Sequence, residues 1–146
     1  MVFASSDHAD PMKRPMLVIT YVPACENNVL MLQPNALQGK DALIDSRVPV
    51  ASTNFGSKND LACWSWTNSN ETTAARSLIQ FDLSKLPVGA IISDANLALF
   101  CNTNSAIPQL HSGSNESYLE RIMNVWNETT VHWMNQPSTI SVNRVS

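Results

Sequence analysis

Two sets of side chains have types and spacings that could do chemistry. In LACWSWT, residues 61–67, Trp64 and Trp66 stand two apart, so in a strand they share one face. Exposed, such a pair is a platform on which sugar rings stack. Buried, it is half of a sandwich core, the more usual fate of Trp. Arg76 offers a planar cation for a carboxylate partner or an anionic ligand, and Tyr118 adds an aromatic ring with a hydroxyl. The second set is Asp41, Asp45, Asn54 and Asp60, oxygen donors on or beside loops of the kind that hold Ca²⁺, without the spacing of an EF-hand. A structural calcium ion is the one cofactor these residues suggest. Asp7, His8 and Asp10 are also close together, but in a proline-containing loop their side chains suit local turn chemistry better than a metal.

Signs of catalysis are missing. There is no recognisable Ser-His-Asp context, no glycine-rich phosphate loop and no HExxH pattern. Glu71, Glu116, Glu120 and Glu128 are present, but sequence separation does not reveal a carboxylate pair flanking a glycosidic bond. His132, alone in a strand-like run, reads as structural. The chain therefore reads as a non-enzyme.

The elements that position these residues read as strands. The stretch 76–100, RSLIQFDLSKLPVGAIISDANLALF, has two period-two arms joined by a segment that includes Pro87 and Gly89. Both arms look largely buried, and a hairpin or a sheet-to-sheet corner must join them. Further strands are predicted at MLVITYV (16–22), VLML (29–32), 41–45 and 61–67, with a loop at 68–73. Residues 117–125 fit a helix or a strand equally well. Residues 126–137 read as a turn, a short strand and a Pro stop, and residues 138–146 as a loose polar tail. This is an all-β pattern, expected to fold as an antiparallel β-sandwich.

Composition narrows the partners. At 146 residues the chain suits one domain, and its charged fraction of 14% leaves a surface of Asn, Ser and Thr rather than of ions. A net charge of −3 without any Lys/Arg cluster argues against nucleic acid, whose backbone needs several phosphate-facing cations. No apolar run approaches a membrane span, and MVFASSDHAD lacks the features of an export signal. Cys25, Cys63 and Cys101, an odd number at wide spacing, read as buried thiols rather than as a disulfide framework.

Three segments, 32–56, 76–100 and the signature-like WNETTVHWMNQP at 126–137, resemble the DNRLRE domain family, with His132 where the family usually has Thr. The resemblance implies a secreted, extracellular or cell-surface β-sandwich of jelly-roll type. It implies a non-catalytic carbohydrate-binding or adhesion module for polysaccharide, with acidic, alginate-like polymers among its ligands, or else a purely structural spacer. Residues 1–22 resemble the closing strand of a preceding repeat, 23–28 a linker, and 29–146 the first three-quarters of the next repeat. Neighbouring repeats are then partners, the sandwich is incomplete, and Leu17–Tyr21 is shaped to fill its closing-strand slot.

Overall fold

The computed structural model describes residues 1–22, 28–107 and 116–145. Its strands are β1 (Val2–Ala4), β2 (Met16–Val22), β3 (Asn28–Leu32), β4 (Lys40–Asp45), β5 (Asp60–Ala62), β6 (Trp64–Asn68), β7 (Glu71–Gln80), β8 (Ile91–Ala98), β9 (Leu119–Ile122) and β10 (Thr139–Val145). Single 3-10 turns lie at Pro11–Lys13, Val50–Ser52 and Trp133–Asn135. The strands form sheets β4-β7-β6, β3-β2-β8, β1-β5 and β9-β10, all antiparallel, with no closed barrel among the described residues. The chain is all-β, with the open, layered character of a β-sandwich.

The β4-β7-β6 sheet carries core on both faces. Because side chains alternate, the pairs Ala42↔Leu78 and Ile44↔Arg76 point one way, and Leu43↔Ser77 and Asp45↔Ala75 the other. On the first face Ala42, Ile44 and Leu78 are closed off by Trp126 and Val131, with Ile122 and Trp133 beside them. On the second, Leu43 and Ala75 pack with Val2 and Ala62 and with the partly buried Phe55, Trp64 and Ile107. Gly56 is required here because a Cβ on it would lie 2.1 Å from the Glu128 carbonyl oxygen.

The stretch 76–100 turns a corner: β7 and β8 belong to different sheets. The two arms also differ in burial. β7 is deeply placed at Thr73, Ala75 and Leu78, whereas β8 is exposed from Ile91 to Asn96, contrary to its apolar sequence. The reason is position, since among the described residues β8 is an edge strand whose one partner is β2. On the inner face of that sheet Ile19 is closed off, and Val29, Met31 and Ile91 on the outer face are exposed.

Other expectations change for local reasons. Residues 61–67 are two strands, because the chain leaves its pairing with β1 at Cys63 and joins β7 from Trp64. Residues 119–122 are strand, and the tail 139–145 is its ordered partner. The short strand expected after Trp126 is instead a turn and a 3-10 helix. Asn127 accepts from the Thr129 N–H and hydroxyl, and the His132 ring accepts from the Met134 N–H, which diverts this backbone from a ladder. Cys63 is half-buried and Cys101 exposed, so neither is the fully buried thiol expected; Cys25 lies outside the described residues.

Residues 1–22 are built into this body. β2 lies between β3 and β8, and Val2, Ala4, Ser5, Ser6 and Ile19 are all buried. Deleting residues 1–22 therefore strips β3 and β8 of their shared partner and opens the core at Val2. The expected result is an insoluble or non-cooperative fragment by circular dichroism during thermal unfolding; a soluble, cooperatively melting fragment of residues 23–146 contradicts it.

Candidate functional site

The β6–β7 hairpin is the most exposed part of the central sheet. Asn68 pairs with Glu71, and the two residues between them, Ser69 and Asn70, have φ of 50° and 66°. Two successive positive φ values are those of a type I′ turn, whose twist suits a tight hairpin. The segment expected to be a loop at 68–73 is thus mostly strand, and Arg76 sits in mid-strand rather than at its mouth.

The hairpin separates the two tryptophans. Both lie on the face of Leu43 and Ala75, as their spacing requires. Trp64, opposite Ala75, packs into the core, with the Arg47 guanidinium 5.1 Å from its ring centre. Trp66, two pairs closer to the turn, lies beyond that cover and is 53% exposed. It lines an open cleft of about 400 Å³ with Ser65, Thr67 and Thr72.

Those three hydroxyl residues belong to the opposite face, which they share with Arg76. Arg76 is exposed, lies 4.9 Å from the Trp133 ring centre and donates from Nη1 to Gln136 Oε1 at 3.0 Å. Lys40, toward the other end of the face, lies 4.5 Å from the Trp126 ring centre and donates to Gln80 Oε1 at 3.0 Å. Each cation is held by an aromatic face and a neutral amide. The carboxylate partner expected for Arg76 is not there, and neither cation forms a salt bridge among the described residues. Lys40, Trp126 and Trp133 were not legible as site residues, because nothing in their spacing tells that residues 126–136 lie back over β4 and β7. Tyr118 is elsewhere: it precedes β9 and is covered by Arg144 at 3.9 Å.

The four candidate calcium donors do not form one set. Asp41 Oδ2 accepts from the Ser6 N–H at 2.7 Å. Asp45, 3% exposed, holds Arg47 through both carboxylate oxygens. Asn54 donates to the Glu128 and Val131 carbonyls, tying the 126–136 segment to the sheet. Asp60 accepts from Asn102 and Ser105. The Asn54 oxygen itself accepts from the Gly56 N–H. The four oxygens thus serve separate networks, so these residues as placed do not fit a shared cation, and among the described residues no group of three or more His, Cys, Asp or Glu side chains could hold a metal.

Residues 37–145 match the sequence model of carbohydrate-binding module family 96. No curated protein and no solved structure matches the chain.

Asp41 titrates inside this fold. Burial pushes its carboxyl up to about 6, with the charges of Asp7 and Glu128 adding to the rise and the Ser6 N–H opposing it. Its Oδ1 and the Ser6 hydroxyl are buried without a partner, so a proton on the carboxyl supplies a donor where one is lacking. Asp7 is raised as well, first by burial and then by Glu128. A carboxyl with a higher pKa folded than unfolded contributes stability that is complete below its ordinary 3.8 and lost as pH rises through about 6. For Asp41 this is on the order of 3 kcal/mol. The melting temperature should fall between pH 4 and pH 7 (roughly the interval around the unfolded and folded values of Asp41), and Asp41→Asn, which still accepts from Ser6, should flatten most of that slope. An unchanged slope in the variant would exclude Asp41 as its source.

Proposed function

Because the chain belongs to carbohydrate-binding module family 96, we propose that it is a non-catalytic polysaccharide-binding and adhesion module of a larger secreted protein, displayed outside the cell beside similar repeats. The ligand rounds the outer β6 edge of the hairpin, with Trp66 on one side as its stacking surface and Ser65, Thr67 and Thr72 on the other meeting sugar hydroxyls. Arg76 selects acidic polymers of the alginate type.

The observation that carries this reading is the charge balance of the Arg76 face. Arg76 and Lys40 are oriented by Trp133 and Trp126 and hydrogen-bonded to neutral amides, so their positive charge is not cancelled locally. An exposed guanidinium held in this way is suited to a uronate carboxylate. Trp64, taken up by the core, and Tyr118, on another sheet, have no part in it.

A structural spacer is the second reading. It is favoured by the use of Trp64 and Trp126 as core residues and by the openness of the cleft. Affinity electrophoresis and calorimetry against acidic and neutral polysaccharides separate the two. Arg76→Gln should weaken binding of a polyuronate by about tenfold or more, the effect of losing a charge-assisted hydrogen bond, and leave neutral glycans unaffected. Trp66→Ala should weaken both. Failure of the intact chain to bind any polymer of the panel leaves the spacer reading standing.

A further inference from the structure

The N-terminal segment is held by a set of contacts that do not depend on its covalent attachment. β1 is paired on both sides: with β5 through Val2↔Ala62, Phe3↔Leu61 and Ala4↔Asp60, and with residues 100–102 through Ala4 N–H to the Phe100 carbonyl, Asn102 N–H to the Val2 carbonyl and a bridge at Phe3↔Cys101. β2 is paired on both sides by β3 and β8. Between them Ser5 donates from its hydroxyl to the Lys58 carbonyl at 2.6 Å and from its N–H to the Asn59 carbonyl at 3.0 Å. Ser6 donates its N–H to Asp41.

The receiving surface is shaped for this segment. A Cβ on Gly39 would lie 2.3 Å from the Ser6 hydroxyl oxygen, so glycine at 39 makes the room that Ser6 occupies. Asp41, buried beneath Ser6, has that N–H for Oδ2 and no partner for Oδ1. Gly39 and Asp41 lie inside the residues matched by the family, 37–145, and residues 1–22 lie outside them. The matched region thus supplies Gly39, Asp41, β5 and β8 to a slot that β3, just outside it, completes, and that β1 and β2 fill.

We propose that this slot is a strand-exchange site, and that its partner in trans is residues 1–22 of a second copy of this chain. Insertion supplies ladder partners to β3, β5 and β8, the means by which one chain completes the sheet of another. Attachment through residues 23–27 confers an effective concentration on the order of millimolar, so in dilute solution the chain's own segment fills the slot. Copies held side by side at comparable local concentration exchange segments.

The test keeps every described part of the chain. A protease recognition sequence replaces residues 23–27, the purified protein is cleaved, and a fluorescent synthetic peptide of residues 1–22 is added in excess, with and without joint unfolding and refolding. The expected result is that the cleaved segment stays with the larger piece in gel filtration and is replaced by the labelled peptide. A peptide carrying Ser6→Leu should bind about tenfold less tightly or worse, the factor expected for overpacking against Gly39. The proposal is overturned if the segment leaves and the larger piece keeps its melting temperature, if no peptide enters even on joint refolding, or if the Ser6→Leu peptide binds as well as the native one.

Discussion

The β4–β7 ladder is the constraint on which the rest of the molecule depends. It is the pairing with core on both sides, Ala42, Ile44 and Leu78 against Trp126 and Val131 on one face, Leu43 and Ala75 against Val2 and Ala62 on the other. A slip of β4 by one residue would turn Ala42 and Ile44 away from Leu78 and Trp126 and put Leu43 and Asp45 in their place. The register that satisfies the core therefore also decides that Arg76 points toward Trp133 and that Trp66 belongs with the opposite face.

Polar groups tie the covering segments to this ladder. Asn54 bonds two carbonyls of the 126–136 segment, and Glu128 Oε1 accepts from the Asp41 N–H. Asp41 in turn receives Ser6, which anchors the N-terminal segment. Buried polar atoms need partners more than they reward them, so these bonds act chiefly by penalising any other arrangement. Asp41 is also the weak point of the scheme, a buried carboxylate with one oxygen unserved, which makes this corner of the fold sensitive to protons.

The candidate surface arises where the covering layers stop. Trp64 and Trp66 are alike in type and face, yet the cover that partly buries Trp64 ends before Trp66, two residue pairs further along. On the opposite face Ser65, Thr67 and Thr72 are likewise open to solvent. Next to them the 126–136 segment contributes Trp133 and Gln136, which fix Arg76 in direction without neutralising it. Orientation by an aromatic ring and a neutral amide, without a carboxylate partner, is the physical property that the proposed acidic ligand rests on.

What the sequence determined by itself was local in origin. Period-two patterns identified most of the strands and the all-β class, β2 to the residue. The segments 32–56, 76–100 and 126–137 carried the likeness to a carbohydrate-binding type of module. What only the tertiary structure decided depends on which surfaces meet. Alternation places Trp64 and Trp66 on one face but does not say where the cover ends. Four oxygen donors share a chemistry, yet the oxygens were claimed by different neighbours: Ser6 for Asp41, Arg47 for Asp45, the Gly56 N–H for Asn54, and Asn102 with Ser105 for Asp60. The apolar β8 proved to be an exposed edge, and residues 126–137 gave up a strand for a turn capped by their own Asn and His side chains. Strand propensity is set by the residue and its near neighbours, whereas burial and partnership are set by residues tens of positions away, and those contacts are not periodic in the sequence.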